Sequence, residues 1–193
     1  MLGLGNNIIN SSKPYTLQVI NTYTSDFSSS VDGWSASSVQ GTLTLTGNQD
    51  SIDGENDWLK GEFDTTQTDG LSAITREDTF TDVQLGDQFS FSGKIRHISG
   101  TDHWDGSDAV NVRVCPAGNS NTSLFTKFVA YTFDATQDES TTFDSGIIEN
   151  LVWQVSTGDY QDPKIQWVIA GDKPKAGAVF YIKDIVIRQY RYI

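Results

Sequence analysis

Apolar and polar residues alternate along most of this chain, in short runs separated by clusters of Gly, Asp, Asn and Ser. A period of two marks half-buried strands, because successive side chains of an extended backbone point to opposite faces. Residues 41–46 read GTLTLT and put Leu43 and Leu45 on one face. Residues 88–95 read QFSFSGKI and align Phe89, Phe91 and Ile95. The same pattern aligns Val110, Val112 and Val114, then Val129, Tyr131 and Phe133, then Ile165, Trp167 and Ile169. Residues 176–187 are apolar on both faces, the mark of a central strand. No segment keeps a helical period over three turns. The nearest, 147–155, reads at least as well as a strand. Roughly nine to eleven strands result. They predict an all-β fold, most naturally a jelly-roll β-sandwich. The pattern begins in earnest only after the first two dozen residues. Residues 1–24 therefore read as an extended N-terminal arm and residues 25–193 as the sandwich.

Composition narrows the function. The chain has 193 residues and a net charge of −12. Its basic residues are scattered, so a nucleic-acid partner, which needs clustered Lys and Arg against phosphates, is not expected. The opening has no basic n-region and no continuous apolar stretch, so a secretion signal is not expected. No run of about 18 apolar residues predicts a membrane span. Cys115 is the single cysteine, so no internal disulfide is available, and it has no evident activating partner.

Two loops concentrate candidate chemistry. Residues 97–108, HISGTDHWDGSD, carry both histidines, a tryptophan and three aspartates. His103, Trp104 and Asp105 are the candidate glycan site: an indole stacks on the C–H face of a sugar while Asp and His bond its hydroxyls. The plain alternative is a solvated hairpin loop with Trp104 folded onto the end of the sandwich, or a contact to a neighbouring subunit. Residues 48–58, NQDSIDGENDW, offer Asp50, Asp53, Glu55 and Asp57 as oxygen ligands for calcium, although the spacing is not that of an EF-hand. A solvated acidic loop is the alternative. Trp34, Trp153 and Trp167 read as core, and Trp58 as either core or platform. The closing RQYRYI is the one locally basic, aromatic stretch and reads as an interface or as a last strand. No nucleophile elbow, metal-ligand helix or phosphate loop is present, so an enzyme is not expected.

Two landmarks carry a resemblance. DFSSSVDGWSA at 26–36 and AVFYIKDIVI at 178–187 resemble the opening and closing motifs of the carbohydrate-binding modules of families 4, 9, 16 and 22, over residues 26–188. The resemblance implies a jelly-roll sandwich. It also implies a structural calcium ion where the closing acidic residue meets the opening segment. Asp184 matches the second acidic position of the closing motif, while Lys183 stands at the first, a cation in place of an oxygen ligand. MLGLGN at the start resembles the N-terminus of structural proteins of tailed bacteriophages. That implies an anchoring arm, with Leu2, Leu4, Ile8 and Ile9 buried against a neighbouring virion subunit. Tyr15, Leu17 and Val19, in YTLQVINTY, would add a strand to a sheet edge, the chain's own or a partner's. The alternative is an arm packed on its own sandwich.

These readings combine into an expectation. The chain is expected to be a non-enzymatic virion protein without a cofactor, a capsid decoration or cement protein repeated on the particle and held by its arm. The alternative is a tail or head-fibre adhesin, or a free carbohydrate-binding module, that binds glycans through the 97–108 loop.

Overall fold

The structure is a computed structural model that describes residues 14–37, 41–66, 72–76, 80, 82–97, 104–105, 110–116, 128–132, 139–149, 163–169 and 173–193. These residues form thirteen strands and no helix. The first six strands are β1 (Leu17–Thr24), β2 (Ser35–Ser37), β3 (Leu43–Gln49), β4 (Trp58–Phe63), β5 (Ser72–Arg76) and β6 (Gln88–His97). The next four are β7 (Trp104–Asp105), β8 (Val110–Pro116), β9 (Phe128–Thr132) and β10 (Glu139–Asp144). The last three are β11 (Pro163–Ile169), β12 (Lys173–Pro174) and β13 (Val179–Tyr192). The count exceeds the sequence expectation because β2, β7 and β12 have only two or three residues, too few to display a period.

The chain forms an antiparallel jelly-roll sandwich. One sheet has the order β10-β6-β13-β4-β3, with β1 also paired to β13, and the other has the order β2-β5-β11-β8-β9. The core lies between them. Phe89, Phe91 and Ile95 of β6, Phe180, Ile182, Ile185 and Ile187 of β13, Leu59 and Phe63 of β4 and Ile74 of β5 belong to one buried cluster. The aligned faces predicted for β3 and β6 are the buried ones, with Leu45 only partly covered near the edge. Trp58 is buried as well, at 1% exposure, but outside that cluster, with the Lys183 ammonium 5.9 Å from its ring centroid. In β11, Trp167 stands in register with buried Ile74. Trp153 lies outside the described residues. Of the 147–155 stretch only the start is described, and Ile148 is buried and bridges to Phe89.

β13 is the central strand of its sheet, as its two-faced apolarity predicted, but it changes phase midway. Phe180 and Ile182 are buried, then Ile185, Ile187 and Gln189. An even series becomes odd because the register against β6 shifts between Lys183 and Val186. Asp184 is the inserted residue and adopts φ +52°. A bulge of this kind adds one residue and re-aims those beyond it. Below the bulge β13 pairs β4, and above it the same edge pairs β1. The described part of the expected arm is therefore an outer strand of the chain's own sheet.

Candidate functional site

Three groups of polar residues were marked in the sequence, and the structure treats each differently. The acidic loop comes first. It joins β3 to β4 and closes as a tight turn, with Ile52 and Glu55 exchanging backbone hydrogen bonds of 3.0 and 2.9 Å. Asp53 and Gly54 fill its centre at φ +50° and +79°, the backbone of a type I′ hairpin that Asp-Gly favours. This turn lies over the outer face of the β6–β13 pair. Both Glu55 oxygens accept from Lys94 Nζ at 2.8 Å, and Lys183 Nζ lies 3.2 Å from Glu55 Oε2. Lys183 also donates to the Asn56 carbonyl at 2.7 Å. Arg96 Nε is 3.3 Å from Asp53, and Lys94 is 3.4 Å from Asp184. The Lys94 and Lys183 hydrogen bonds hold the Glu55 carboxyl below its usual range, and Glu55 in turn raises Lys94.

This arrangement bears on calcium. Of the five carboxylates marked for it, Asp53, Glu55 and Asp184 come together, but onto three cationic side chains. Asp50 and Asp57 meet only through an Asp57 N–H to Asp50 contact of 3.4 Å. Among the described residues no group of three or more His, Cys, Asp or Glu could hold a metal. The opening segment meets the closing strand directly, through Ser25 N–H to Ile185 O and Ile185 N–H to Ser25 Oγ, both 2.9 Å. The donor set does not fit a hard cation, because the positive charge such an ion would bring is already supplied by Lys94 and Lys183.

The opening landmark is structural. Phe27 and Trp34 are buried at 2% and 3% exposure. Tyr23 of β1 donates to Asp32 Oδ2 at 2.5 Å and accepts from Trp34 Nε1 at 3.0 Å. Arg76 of β5 lies 4.2 Å above the Tyr23 ring and 3.6 Å from Asp32. Burial first, then the bond to Asp32, pushes the Tyr23 phenol well above its usual range. Gly33 is required here. It takes φ +72°, and a Cβ would sit 2.6 Å from the Arg76 guanidinium. The Gly-Trp pair thus ties β1 and the five-stranded sheet to one buried indole.

The closing RQYRYI is the last part of β13. Arg191 grips Asp87 with Nε and Nη2 at 2.7 and 2.8 Å and reaches Asp82 with Nη1 at 3.0 Å. Gln189, fully buried, donates to Asp87 at 2.6 Å and accepts from Asn21 of β1 at 2.7 Å. Burial pushes the Asp87 carboxyl up, but Arg191, the Gln84 amide and Gln189 outweigh it and hold it below the carboxylate range. No sequence pattern marks this cluster. Its partners are 104 residues apart.

Of the candidate glycan loop, His97, Trp104 and Asp105 lie among the described residues. Trp104 and Asp105 form β7, which pairs with β12 in the register Trp104 to Pro174 and Asp105 to Lys173. β8 starts at Val110, opposite Ile169 at the end of β11, so in the chain β7 comes shortly before that end and β12 shortly after it. His103 lies outside the described residues. Register also sets Ser35, Thr75, Gln166 and Arg113 in one cross-strand row, out of phase with the row of buried Ile74. On the other sheet, an open cleft of ≈ 430 Å³ is lined by Ser92, Lys94, Thr142, Asp144 and Asp184.

No protein-family model matches the chain, and no curated protein matches it. Solved structures do. The CBM22-1 xylan-binding domain from Paenibacillus barcinonensis Xyn10C aligns with a TM-score of 0.54 at 12% identity, over 91% of this chain and 97% of that one. The CBM22-2 domain of the same protein aligns with a TM-score of 0.53 at 16% identity, over 86% and 98%. The CBM22-1–GH10 modules of Clostridium thermocellum endo-1,4-β-D-xylanase 10B, complexed with xylohexaose, align at 0.53 and 16%, over 86% of this chain and 28% of that chain. At these identities the likeness defines the fold. The chain is a jelly-roll β-sandwich, similar in fold to these carbohydrate-binding modules.

Proposed function

We propose that this chain is a non-catalytic glycan-binding module whose site lies at the Val110–Ile169 end of the five-stranded sheet. One observation carries the reading. The β7–β12 ladder holds Trp104 in the segment that leads into the Val110–Ile169 end of the five-stranded sheet, and the row Ser35, Thr75, Gln166 and Arg113 crosses the middle of that sheet. A sugar site needs an aromatic face and several hydrogen-bonding groups beside it, and the presence of both residue types on this sheet and the segment leading into it supports the reading. The similar solved domains are described as binding xylan, which supports a polysaccharide of linked pyranoses as the ligand class.

The test is affinity electrophoresis of the full chain in gels cast with xylan, mixed-linkage glucan or mannan. Retardation by one of them, abolished in Trp104→Ala and Arg113→Ala but kept in Asp144→Ala on the opposite sheet, is expected. Retardation lost only in Asp144→Ala would move the site to the cleft beside β10. Migration unchanged in every gel would end the glycan reading. The role as a virion decoration protein would use the same sandwich as a structural unit. It rests on MLGLGN and on Leu2, Leu4, Ile8 and Ile9, which lie outside the described residues, and remains a proposal tested by whether the chain is found in purified particles.

A further inference from the structure

The geometry points to the edge of β1 turned away from β13 as a self-association surface, whose partner is β1 of a second copy of this chain in antiparallel pairing. Thr16 and Ile193 exchange backbone hydrogen bonds of 3.0 and 3.1 Å, so they form a closely spaced pair of the β1–β13 ladder. Such pairs alternate with pairs whose N–H and C=O groups turn away from the partner strand. Leu17 and Val19, facing Tyr192 and Tyr190, therefore direct their backbone groups to the other side of β1. Among the described residues no strand pairs with β1 there.

Exposed strand edges are normally blunted by charge, proline, bulges or shortness. Among the described strands the other sheet edges follow that rule, β9 through a register shift in its pairing with β8. β2 has three residues, β10 carries Glu139 and Asp144 at its two ends, and β3 slips register between Thr46 and Gln49. β1 has eight residues, and its single irregularity falls between Val19 and Asn21. From Pro14 to Ser25 there is no charged residue, in a chain of net charge −12. Exposed apolar side chains lie on β1 and its lead-in, Tyr15 at 77% exposure and Val19 at 50%, and on the stretch paired with them, Tyr192 at 52% and Ile193 at 60%.

Charge selects the occupant. Two copies of an acidic chain repel over most of their surfaces. A two-fold axis through the β1 edge brings neutral strand against neutral strand and apolar rim against apolar rim. An isologous contact of this kind is self-complementary and closes at two subunits. The paired stretch before the irregularity is short, so the buried area falls at the low end for specific interfaces, and the dimer is expected to dissociate at roughly micromolar concentration.

Sedimentation equilibrium of the full chain over a concentration series tests this. The mass is expected to rise from the 21.3 kDa of one chain to twice that value. Val19→Lys puts a charge on the rim, and Val19→Pro removes an outward N–H. Both are expected to stay monomeric at concentrations where the wild type is dimeric, with an unchanged melting temperature in Val19→Lys, while Val19→Thr still pairs. A wild-type dimer that persists in both variants would place the contact elsewhere and overturn the proposal. So would a wild type that is monomeric throughout. In that case, slow hydrogen exchange at the Leu17 and Val19 amides would identify the chain's own first thirteen residues as the cover.

Discussion

Two clusters of carboxylates and cations hold opposite ends of β13, and they differ in depth. At one end Glu55 and Asp53 meet Lys94, Lys183 and Arg96 on the surface of the sheet, with the Glu55 side chain 40% exposed. At the other, Asp87 is 1% exposed and meets Arg191 and Gln189. The chemistry is the same, but water decides what each is worth. Exposed pairs are screened and contribute little. A buried carboxylate without its partners carries the full desolvation cost. The surface cluster positions a loop, and the buried one locks the last strand to the turn before β6.

The sharpest way to break the comparison is to remove the buried carboxylate. Asp87→Ala leaves Gln189 and the Arg191 guanidinium without their main acceptor and is expected to cost about 3–5 kcal/mol, read as a lower urea midpoint. Tyr23→Phe comes next. It removes the hydroxyl that joins Trp34 Nε1 to Asp32, at an expected cost of about 1–2 kcal/mol. The corresponding truncation at the surface, Glu55→Gln, is expected to leave the midpoint unchanged. A loss as large as that of Asp87→Ala would show that the loop turn is a structural keystone after all.

Acid separates the two clusters by another route. The Asp87 carboxyl lies below its ordinary value in the folded chain. Its contribution is therefore complete above the unfolded-state value of about 3.9 and is lost as pH falls through the lower, folded one. Stability is expected to fall steeply as pH drops below 4, and less steeply in Asp87→Asn. Urea titrations at several pH values read this directly, and identical slopes for the two proteins would sink the assignment.

These contrasts mark how far the sequence reaches. Alternation identified the buried faces of β3 and β6, and unbroken apolarity identified β13 as central, because burial on one or two faces writes itself into neighbouring residues. Trp34 was legible as a packing residue from the Gly-Trp motif, whereas the burial of Phe27 was not foreseen. The bulge at Asp184 was not. Lys-Asp inside an apolar run reads as an ordinary outward pair, and only the paired strands reveal the change of phase. The acidic loop was legible as a cluster of oxygens but not as a set of ion pairs, since Lys94 is 39 residues from Glu55 and strand order alone brings them together. β1 illustrates the same limit. Its strand character was visible, whereas its pairing with β13 depended on topology. The Trp104 loop was legible as chemistry, and the row of Ser35, Thr75, Gln166 and Arg113 was not, because four strands contribute one residue each.

The smallest expected effect sharpens the comparison most, because it asks what the surface cluster replaces. Calcium is expected to leave the melting temperature of the wild type unchanged, and a chelator likewise, since Lys94 and Lys183 already neutralise Glu55 and Lys94 also pairs Asp184. Replacing both lysines by Met keeps their apolar stems but leaves Asp53, Glu55 and Asp184 with only Arg96 beside them. A carboxylate cluster stripped of its ammoniums attracts a divalent ion, so calcium is expected to raise the melting temperature of Lys94→Met/Lys183→Met by a few degrees and to do nothing when Glu55→Gln is added. A wild type stabilised by calcium to the same extent would mean that the lysines do not stand in for the ion. A double variant indifferent to calcium would mean that they serve the turn and not the charge.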